Sequence, residues 1–153
     1  MRPSERTCRD RAGYCQNAII TGMTRIVQKG LSEVRPWGSY EVLSSTKEGQ
    51  TDKVTKKITV QPGKRLSLQS HQGREEAWTF LSGEGEVTIG DETRVVKEGV
   101  LVVVPKETKH RISNMKGTEP LVFIEVSTGF FDEDDIVRYD DDFGRVSKGA
   151  SNS

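Results

Sequence analysis

Short apolar segments of strand length recur through the middle of the chain, and their spacing constrains the fold more than any other feature. Between about residues 53 and 128, hydrophobic residues alternate with polar ones or form brief apolar runs, and turn-forming residues separate these segments about every 8–12 positions. No helical stripe of useful length interrupts the pattern, so the sequence predicts an all-β domain, either a sandwich or a small barrel. The predicted strands are Val54–Val60, Leu66–Ser70, Trp78–Leu81, Glu86–Ile89, Arg94–Val96, Val100–Val104 and Leu121–Ser127. A short helix or turn is expected around Asp132–Val137.

Length and composition fit one thin domain. The 153 residues suit a single core, and hydrophobic residues make up only 33% of the chain, which argues against a thick helical bundle. No apolar run approaches the roughly 20 residues of a membrane-spanning helix, so no membrane partner is expected. We predict one domain at residues 31–146, a disordered N-terminal extension at 1–30 and a disordered tail at 147–153.

Charge and cysteine content argue against two further classes of protein. Lysine plus arginine (23) cancel aspartate plus glutamate (23), which removes the basic field expected of a nucleic-acid binder. The acidic residues near the C-terminus, from Asp132 to Asp142, favour a solvated acidic tail. Cys8 and Cys15 both lie in the N-terminal extension, and no signal-peptide h-region is present, so we expect a cytoplasmic protein whose translation starts at Met1 or Met23.

Residue types that bind metal ions occur in two stretches of the chain. Gln69 and His71 are two residues apart, so on a strand they project from the same face, and Glu76 follows on or near the next strand. His110, the chain's other histidine, lies in the second stretch. A carboxylate, an amide oxygen and two imidazoles form a mixed donor set that suits Mn, Fe, Co, Ni or Zn. The alternative is that both histidines are ordinary hydrogen-bonded residues of a β-domain.

The spacing of these residues resembles the cupin superfamily, whose motifs are Gly-x5-His-x-His-x(3,4)-Glu-x6-Gly and Gly-x5-Pro-x-Gly-x2-His-x3-Asn. The first motif is matched by Gly63, Gln69, His71, Glu76 and Gly83, with Gln69 where the first histidine usually stands. The second is matched by Gly99, Pro105, His110 and Asn114, with Glu107 in the place of the second glycine. The resemblance implies a cupin double-stranded β-helix, a jelly-roll barrel in which both motifs face one cavity. It also implies a metal held by Gln69, His71, Glu76 and His110.

Three further blocks, in chain order, carry a narrower likeness: Arg35–Leu43, Pro62–His71 and Asp134–Arg145. They look like the type II mannose-6-phosphate isomerase domain, which in that family often forms the C-terminal part of a bifunctional mannose-1-phosphate guanylyltransferase. The likeness covers about residues 35–145. The chain offers no glycine-rich, lysine-containing nucleotide signature, so we do not carry guanylyltransferase activity over to it.

The resemblance implies interconversion of mannose 6-phosphate and fructose 6-phosphate through an enediol. A divalent metal, one of Mn, Co, Zn, Fe, Ni or Mg, is expected as the Lewis acid, and a general base must carry the proton between C2 and C1. Arg74 matches the arginine of the family's His-His-His-Arg-x-Glu-His-Trp block and is expected to act beside the metal. Lys64 and Arg65 are candidates to bind the phosphate, with Lys64 also a candidate catalytic residue; ordinary strand-edge charges are the alternative.

The chain departs from that block at three positions where the family has histidines: Gln72, Gly73 and Ala77. With both histidines of the chain assigned to the metal, the base must be a carboxylate or a lysine. The candidates are Glu75, Glu107 and Lys109, although Glu75 is expected to point to the opposite face of its strand from Glu76. Trp78 is expected to be a core or rim aromatic residue rather than a platform for the sugar.

Two other functions stay open. The missing histidines favour a non-catalytic cupin that binds a metal or a sugar, and a metal-dependent cupin enzyme of other chemistry, such as a dioxygenase, is the second. The expected partner is a small-molecule sugar phosphate. A homodimer is also expected, because cupins of this size commonly pair through their sheets and an edge strand needs cover.

Overall fold

The chain folds entirely into strands and turns where its structure is described. The computed structural model describes residues 20–21, 24–25 and 28–148, and no helix occurs among them. The all-β prediction is confirmed. The strands are β1 Ile20–Thr21, β2 Thr24–Arg25, β3 Ser32–Arg35, β4 Gly38–Glu48, β5 Thr51–Val60, β6 Leu68–Ser70, β7 Arg74–Ser82, β8 Glu84–Ile89, β9 Glu92–Lys97, β10 Leu101–Val104, β11 His110–Ser113, β12 Leu121–Gly129 and β13 Val137–Asp140.

Two antiparallel sheets enclose the core. The first sheet has the strand order β10-β7-β12-β5-β4-β3, and the second has the order β13-β6-β11-β8-β9. The β1–β2 ladder forms a separate two-stranded piece. The chain crosses between the sheets several times, because β6, β8, β9 and β11 belong to one sheet while β7, β10 and β12 belong to the other. Side chains of both sheets share one hydrophobic cluster, so the sheets form the two walls of a barrel.

The inner face of the first sheet changes from apolar to polar along its strands. Because side chains alternate between faces, every second residue of β5, β12 and β7 points inward, and the strand register sorts these residues into three cross-strand rows. The first row is Ile58, Phe123 and Phe80; the second is Lys56, Glu125 and Trp78; the third is Val54, Ser127 and Glu76. The first row joins the apolar core, whereas the second and third place charged groups inside the barrel.

The outer face of the first sheet carries exposed apolar residues at its β10 edge. Leu101 is 61% exposed and Val103 is 57% exposed on β10, and Leu81 on the neighbouring β7 is 43% exposed. Such an edge is a surface on which another chain can pair. The homodimer expected from the sequence stays a prediction.

The C-terminal acidic segment is more ordered than the sequence suggested. The stretch around residues 132–137 is a turn that leads into β13, not a helix. The expected solvated acidic tail is wrong for Asp140, Asp141 and Asp142, because Arg111, Arg145 and Arg65 respectively donate to their carboxylates at 2.7–2.9 Å. These three aspartates are therefore held in ion pairs, two of them with arginines that lie far away in the sequence.

The predicted disordered ends fall mostly on residues outside the described ranges. Within 1–30, the described pieces include the β1–β2 ladder, and the Gly30 amide donates to the Val42 carbonyl at 2.7 Å. At the other end, Ser147 donates through its amide and its hydroxyl oxygen accepts from the Arg138 amide. The domain bounds 31–146 stay a prediction.

Candidate metal centre

Three buried side chains from both sheets converge inside the barrel. His71 directly follows β6, His110 begins β11 in the same sheet, and Glu76 comes from β7 in the opposite sheet. His71 Nε2 lies 3.2 Å from Glu76 Oε1, and His110 Nε2 lies 3.7 Å from Glu76 Oε2. The three side chains are 2–3% exposed, and one ligand atom from each lies within 4.8 Å of the others. This cluster, which we call the triad, could hold a metal ion.

Strand register explains why residues so far apart in sequence meet. On β7 the inward positions are Arg74, Glu76 and Trp78, as the alternation of burial along the strand indicates. In the second sheet, His110 lies opposite Gln69 in the β6–β11 ladder, which brings the two sequence motifs together. Both motifs therefore contribute side chains to one interior of the barrel, and the cavity that the resemblance implies stays a prediction.

Backbone carbonyls fix the orientation of both imidazole rings. His71 Nδ1 donates to the Asp135 carbonyl oxygen at 2.6 Å, and His110 Nδ1 donates to the Thr108 carbonyl oxygen at 2.9 Å. A proton on Nδ1 leaves the Nε2 lone pair of each neutral ring directed at the triad, which is the usual arrangement of a metal-ligating histidine. His110 Nε2 is buried and has no hydrogen-bond partner among the described residues. An orphaned lone pair beside a carboxylate fits a bound cation.

The protonation states of the triad also suit a metal. Burial lowers the pKa of His110 below its ordinary value, although the Glu76 carboxylate partly opposes this, so the ring is neutral at pH 7. Burial opposes ionisation of Glu76, but its contact with the His71 ring and the nearby positive charge of Arg74 favour the carboxylate and hold the Glu76 pKa well below its usual range. The triad therefore presents a carboxylate and a neutral imidazole at neutral pH.

Gln69 and Arg74, which the sequence assigns to metal binding and to catalysis, lie beside the triad. Gln69 Nε2 is 3.4 Å from His71 Nε2, while Gln69 Oε1 accepts from the Ser67 hydroxyl at 2.7 Å. Rotation of the terminal amide would turn its oxygen toward the triad, so the role of Gln69 as a ligand stays a prediction. Arg74 donates from Nε to Glu76 Oε1 at 3.3 Å, and its guanidinium stacks 4.7 Å from the Phe131 ring centroid.

Lys64 and Arg65 lie apart from the triad. Lys64 is exposed, with its Nζ 6.0 Å from the Phe143 ring centroid. Arg65 donates to both carboxylate oxygens of Asp142, at 2.8 and 2.7 Å. Within the part of the chain that the structure describes, neither side chain contacts the triad. Their roles in phosphate binding, and that of Lys64 in catalysis, stay predictions.

Two of the three candidate bases from the sequence, Glu75 and Glu107, are exposed, whereas the triad is buried. Glu75 is exposed on the outer face of β7, as the alternation of side chains along a strand predicts for the residue before the inward Glu76. Glu107 is also exposed and has a φ of 62°, so it adopts a left-handed conformation at the position where the cupin motif has glycine. Lys109 Nζ packs 4.3 Å from the centroid of the Tyr139 ring. The role of each of the three as the base stays a prediction.

The three departures from the family block spare the triad. Ala77 occupies an outward position on β7, and Gln72 is exposed. Gly73 is covered by the segment that follows β12: its amide donates to Asp135 Oδ2 at 2.8 Å, and its carbonyl oxygen accepts from the Phe130 amide at 2.8 Å. Histidines at these positions are not needed to complete the triad.

Sequence reasoning missed several residues that position the triad. Trp78 is 1% exposed, which confirms its assignment to the core, but its Nε1 also donates to Glu76 Oε2 at 3.1 Å. Asp135 holds His71 through its carbonyl oxygen and the Gln72 and Gly73 amides through its carboxylate. Glu125 was also missed, although its parity with Leu121 and Phe123 on β12 was a signal that it points inward. Contacts made through backbone atoms had no comparable signal in the sequence.

Comparison with known sequences gives one family match across most of the chain. A family model described as mannose-6-phosphate isomerase C-terminal matches residues 23–141. Xanthan biosynthesis protein XanB of Xanthomonas campestris pv. campestris is 46% identical over 113 residues, which are 73% of this chain and 23% of XanB. Mannose-1-phosphate guanylyltransferase ManC of Salmonella typhimurium is 39% identical over 113 residues, which are 73% of this chain and 22% of ManC. The chain thus spans about a quarter of the length of these relatives.

Solved structures agree on the fold. A protein with a double-stranded β-helix domain from Klebsiella pneumoniae aligns with a TM-score of 0.51 and 22% identity, covering 64% of this chain and 80% of that one. A putative sugar phosphate isomerase from Acidithiobacillus ferrooxidans aligns with a TM-score of 0.51 and 26% identity, covering 66% of this chain and 68% of that one. The predicted cupin double-stranded β-helix is confirmed. Among the residues that the structure describes, no helix is long and apolar enough to cross a bilayer.

Proposed function

We propose that this chain, which belongs to the mannose-6-phosphate isomerase C-terminal family, is a metal-dependent isomerase that interconverts mannose 6-phosphate and fructose 6-phosphate through an enediol. The observation that carries the proposal is the convergence of the His71 and His110 Nε2 atoms on the Glu76 carboxylate inside the barrel. The likeness to a putative sugar phosphate isomerase supports the substrate class.

The triad residues would hold the metal, with Gln69 as a fourth ligand. A divalent ion bound there supplies Lewis-acid polarisation of the carbonyl and hydroxyl oxygens of the sugar at C1 and C2. Arg74 would add a fixed positive charge, because its guanidinium is held by Glu76, by the Asp132 carbonyl oxygen and by the Phe131 ring. A preorganised cation beside the reacting oxygens stabilises the negative charge that develops on the enediolate.

Phosphate binding by Arg65 would require its release from Asp142. The ion pair between these two residues is partly exposed, with side chains 32% and 34% accessible. Exposed ion pairs are worth at most about 1 kcal/mol, so a dianionic phosphate can compete for the same guanidinium. Lys64, next in the chain and exposed, would supply a second positive charge.

The relatives suggest a cellular context for this reaction. ManC, by its name, is a mannose-1-phosphate guanylyltransferase, and XanB is a xanthan biosynthesis protein. We propose that the chain supplies or consumes a sugar phosphate in the cytoplasm for nucleotide-sugar synthesis such as GDP-mannose formation. Guanylyl transfer, which such a pathway also needs, is not part of the activity proposed for the barrel.

The test is an isomerase assay on reconstituted protein. Purified chain is stripped with a chelator, reloaded separately with Mn, Co, Zn, Fe, Ni or Mg, and supplied with mannose 6-phosphate while fructose 6-phosphate is detected through a coupled reaction. We expect turnover with at least one metal and its loss in His110→Ala. A protein that binds mannose 6-phosphate in calorimetry but shows no turnover with any of the six metals would support the non-catalytic cupin instead. Binding of neither metal nor sugar phosphate would contradict both.

A further inference from the structure

Glu125 is a buried carboxylic acid that the triad does not use. It lies in the second row of the barrel interior, between Lys56 on β5 and Trp78 on β7, and it is 9% exposed. The inward residues on its N-terminal side, Leu121 and Phe123, belong to the apolar core. Glu125 therefore stands where the apolar floor of the barrel meets its polar half.

The Glu125 carboxyl group has little hydrogen-bonding compensation. Its one hydrogen bond among the described contacts is a long one, from the Ser127 hydroxyl to Oε1 at 3.4 Å. Lys56 lies opposite Glu125 in the strand register, but the hydrogen bond of its Nζ goes to a different acid, Glu133, at 3.0 Å to Oε1. Burying an acid without a close partner costs stability, so a structural reason for Glu125 is not evident.

The position of Glu125 relative to the triad suits a reaction partner rather than a ligand. Glu76 lies opposite Ser127, two residues along β12, so Glu125 and Glu76 are diagonal neighbours on the same inward face. Diagonal neighbours in an antiparallel pair are roughly 7–8 Å apart, enough for a small molecule to touch both. Trp78 lies directly opposite Glu125 in the strand register, and its Nε1 donates to Glu76 Oε2 at 3.1 Å.

We propose that Glu125 is the general base that carries the proton between C2 and C1 of the sugar, an inference that rests on the proposed isomerase function. The Glu125 carboxylate removes the proton from C2 of the open-chain aldose; the C2–H electron pair forms the C1–C2 double bond, and the carbonyl electron pair moves to O1. The proton of the C2 hydroxyl passes to O1 as the C2 carbonyl forms. The Glu125 carboxylic acid then returns its proton to C1, which gives the ketose and restores the carboxylate.

The electrostatics of the barrel agree with this role. Burial, followed by repulsion from Glu76, raises the pKa of Glu125 to about 7, while the positive charges of Lys56 and Arg74 and the ring of His71 act in the opposite direction. Burial thus favours the protonated form of Glu125, which is the form that holds an abstracted proton for its return to C1. The exposed Glu75 and Glu107 have no comparable surroundings.

The experiment compares Glu125→Gln with the matched control Glu75→Gln, whose carboxylate lies on the outer face of β7. Each metal-loaded protein is assayed for kcat and KM, for metal content by mass spectrometry, and for deuterium uptake at C2 of mannose 6-phosphate in D2O. We expect Glu125→Gln to lower kcat and deuterium uptake at least about 100-fold, with unchanged metal content and KM within a few fold. Glu75→Gln should match the wild type in all four quantities.

The outcomes separate this inference from the proposed function. A wild type that takes up deuterium, with Glu125→Gln within threefold of it, overturns the role of Glu125 alone. Loss of metal from Glu125→Gln also overturns it, because the residue would then be a ligand. A wild type that exchanges no deuterium with any metal overturns the isomerase function and this inference with it. If Glu125→Gln does not fold, Glu125→Asp, which withdraws the carboxylate by one methylene, must lower kcat at least tenfold at full metal content; equal kcat overturns the proposal.

Discussion

Replacement of Gly73 by histidine would restore a residue of the family block, and we expect it to destabilise this chain. A Cβ atom added to Gly73 would lie 2.9 Å from the Phe130 carbonyl oxygen, 3.1 Å from Asp135 Oδ2 and 3.2 Å from Phe130 Cβ. The closest of these atoms belongs to the backbone, so it cannot rotate away as a side chain can. The segment 130–135 must move before any side chain fits at this position.

The size of the effect follows from the contacts that this movement would disturb. Overpacking a closely packed site costs typically 1–3 kcal/mol. Displacement of the segment also lengthens the hydrogen bonds of Gly73 to Phe130 and Asp135, both 2.8 Å, and one lost bond adds about 1 kcal/mol. We therefore expect Gly73→His to lower the free energy of unfolding by about 2–4 kcal/mol.

The same substitution should weaken metal binding. The Asp135 carbonyl oxygen accepts from His71 Nδ1 at 2.6 Å, so movement of the segment misorients a ligand of the triad. Loss of such an outer contact typically lowers metal affinity about 10–100-fold. Gly73→Ala, which adds the Cβ alone, should show a smaller part of both effects.

Urea unfolding of the metal-free protein and metal titration measure the two effects, with Gln72→His and Ala77→His as controls. Gln72 is exposed and Ala77 faces outward on β7, so each control should change the free energy of unfolding by no more than about 0.5 kcal/mol. A Gly73→His protein as stable as the controls, with wild-type metal affinity, would refute the argument from the covered position of Gly73.

Three further predictions follow from single residues. His110→Ala should bind markedly less Mn or Zn than the wild type by mass spectrometry, because the orphaned Nε2 atom is lost; full metal content would contradict the triad. In urea unfolding, Glu125→Gln should have the same free energy of unfolding as the wild type near pH 4.5 and a higher one, by up to about 3 kcal/mol, above pH 7. The reason is that burial raises the folded-state pKa of Glu125 to about 7, so the wild type loses stability as pH rises from the ordinary carboxyl pKa through that value. An equal difference at both pH values would contradict the raised pKa. Asn114→Ala should lower the free energy of unfolding by about 2–4 kcal/mol, because the buried Asn114 amide donates to the carbonyl oxygens of Val60 and Glu119, both at 2.9 Å. A smaller loss in thermal or urea unfolding would show that water replaces these bonds.

Much of the fold could be predicted from hydrophobic periodicity alone. Strands such as Leu121–Gly129 alternate buried and partly exposed residues with little interruption, and the turns beside them contain glycine in positive φ, as at Gly83 and Gly90. The acidic segment near the C-terminus was misjudged because composition suggested solvation. Its partners, Arg65 and Arg111, lie far away in the sequence, and only the sheet register brings them to Asp142 and Asp140.

The part of the site that consists of side chains in sequence motifs could be predicted. His71, Glu76 and His110 were found because their spacing encodes which strand face they occupy. The Asp135 carbonyl that orients His71 could not be found, because any residue type offers a carbonyl oxygen. Glu125 could not be recognised for a different reason, because a single acidic residue in an apolar strand does not by itself indicate burial. The informative feature is that Glu125 lies two residues after Phe123 and therefore on the same inward face of β12.

The three missing histidines at first favoured a barrel that binds without catalysis, but their positions weaken that argument. Ala77 faces outward and Gln72 is exposed, so neither change removes a group from the barrel interior. Besides Glu76, the interior holds a second acid, Glu125; glutamine would have nearly the same volume there and would avoid an ionisation that burial and the Glu76 charge oppose. A chain that only bound a sugar through a metal and hydrogen bonds would gain stability from that replacement. The presence of a carboxylate there therefore argues for proton transfer, and for isomerisation over binding alone.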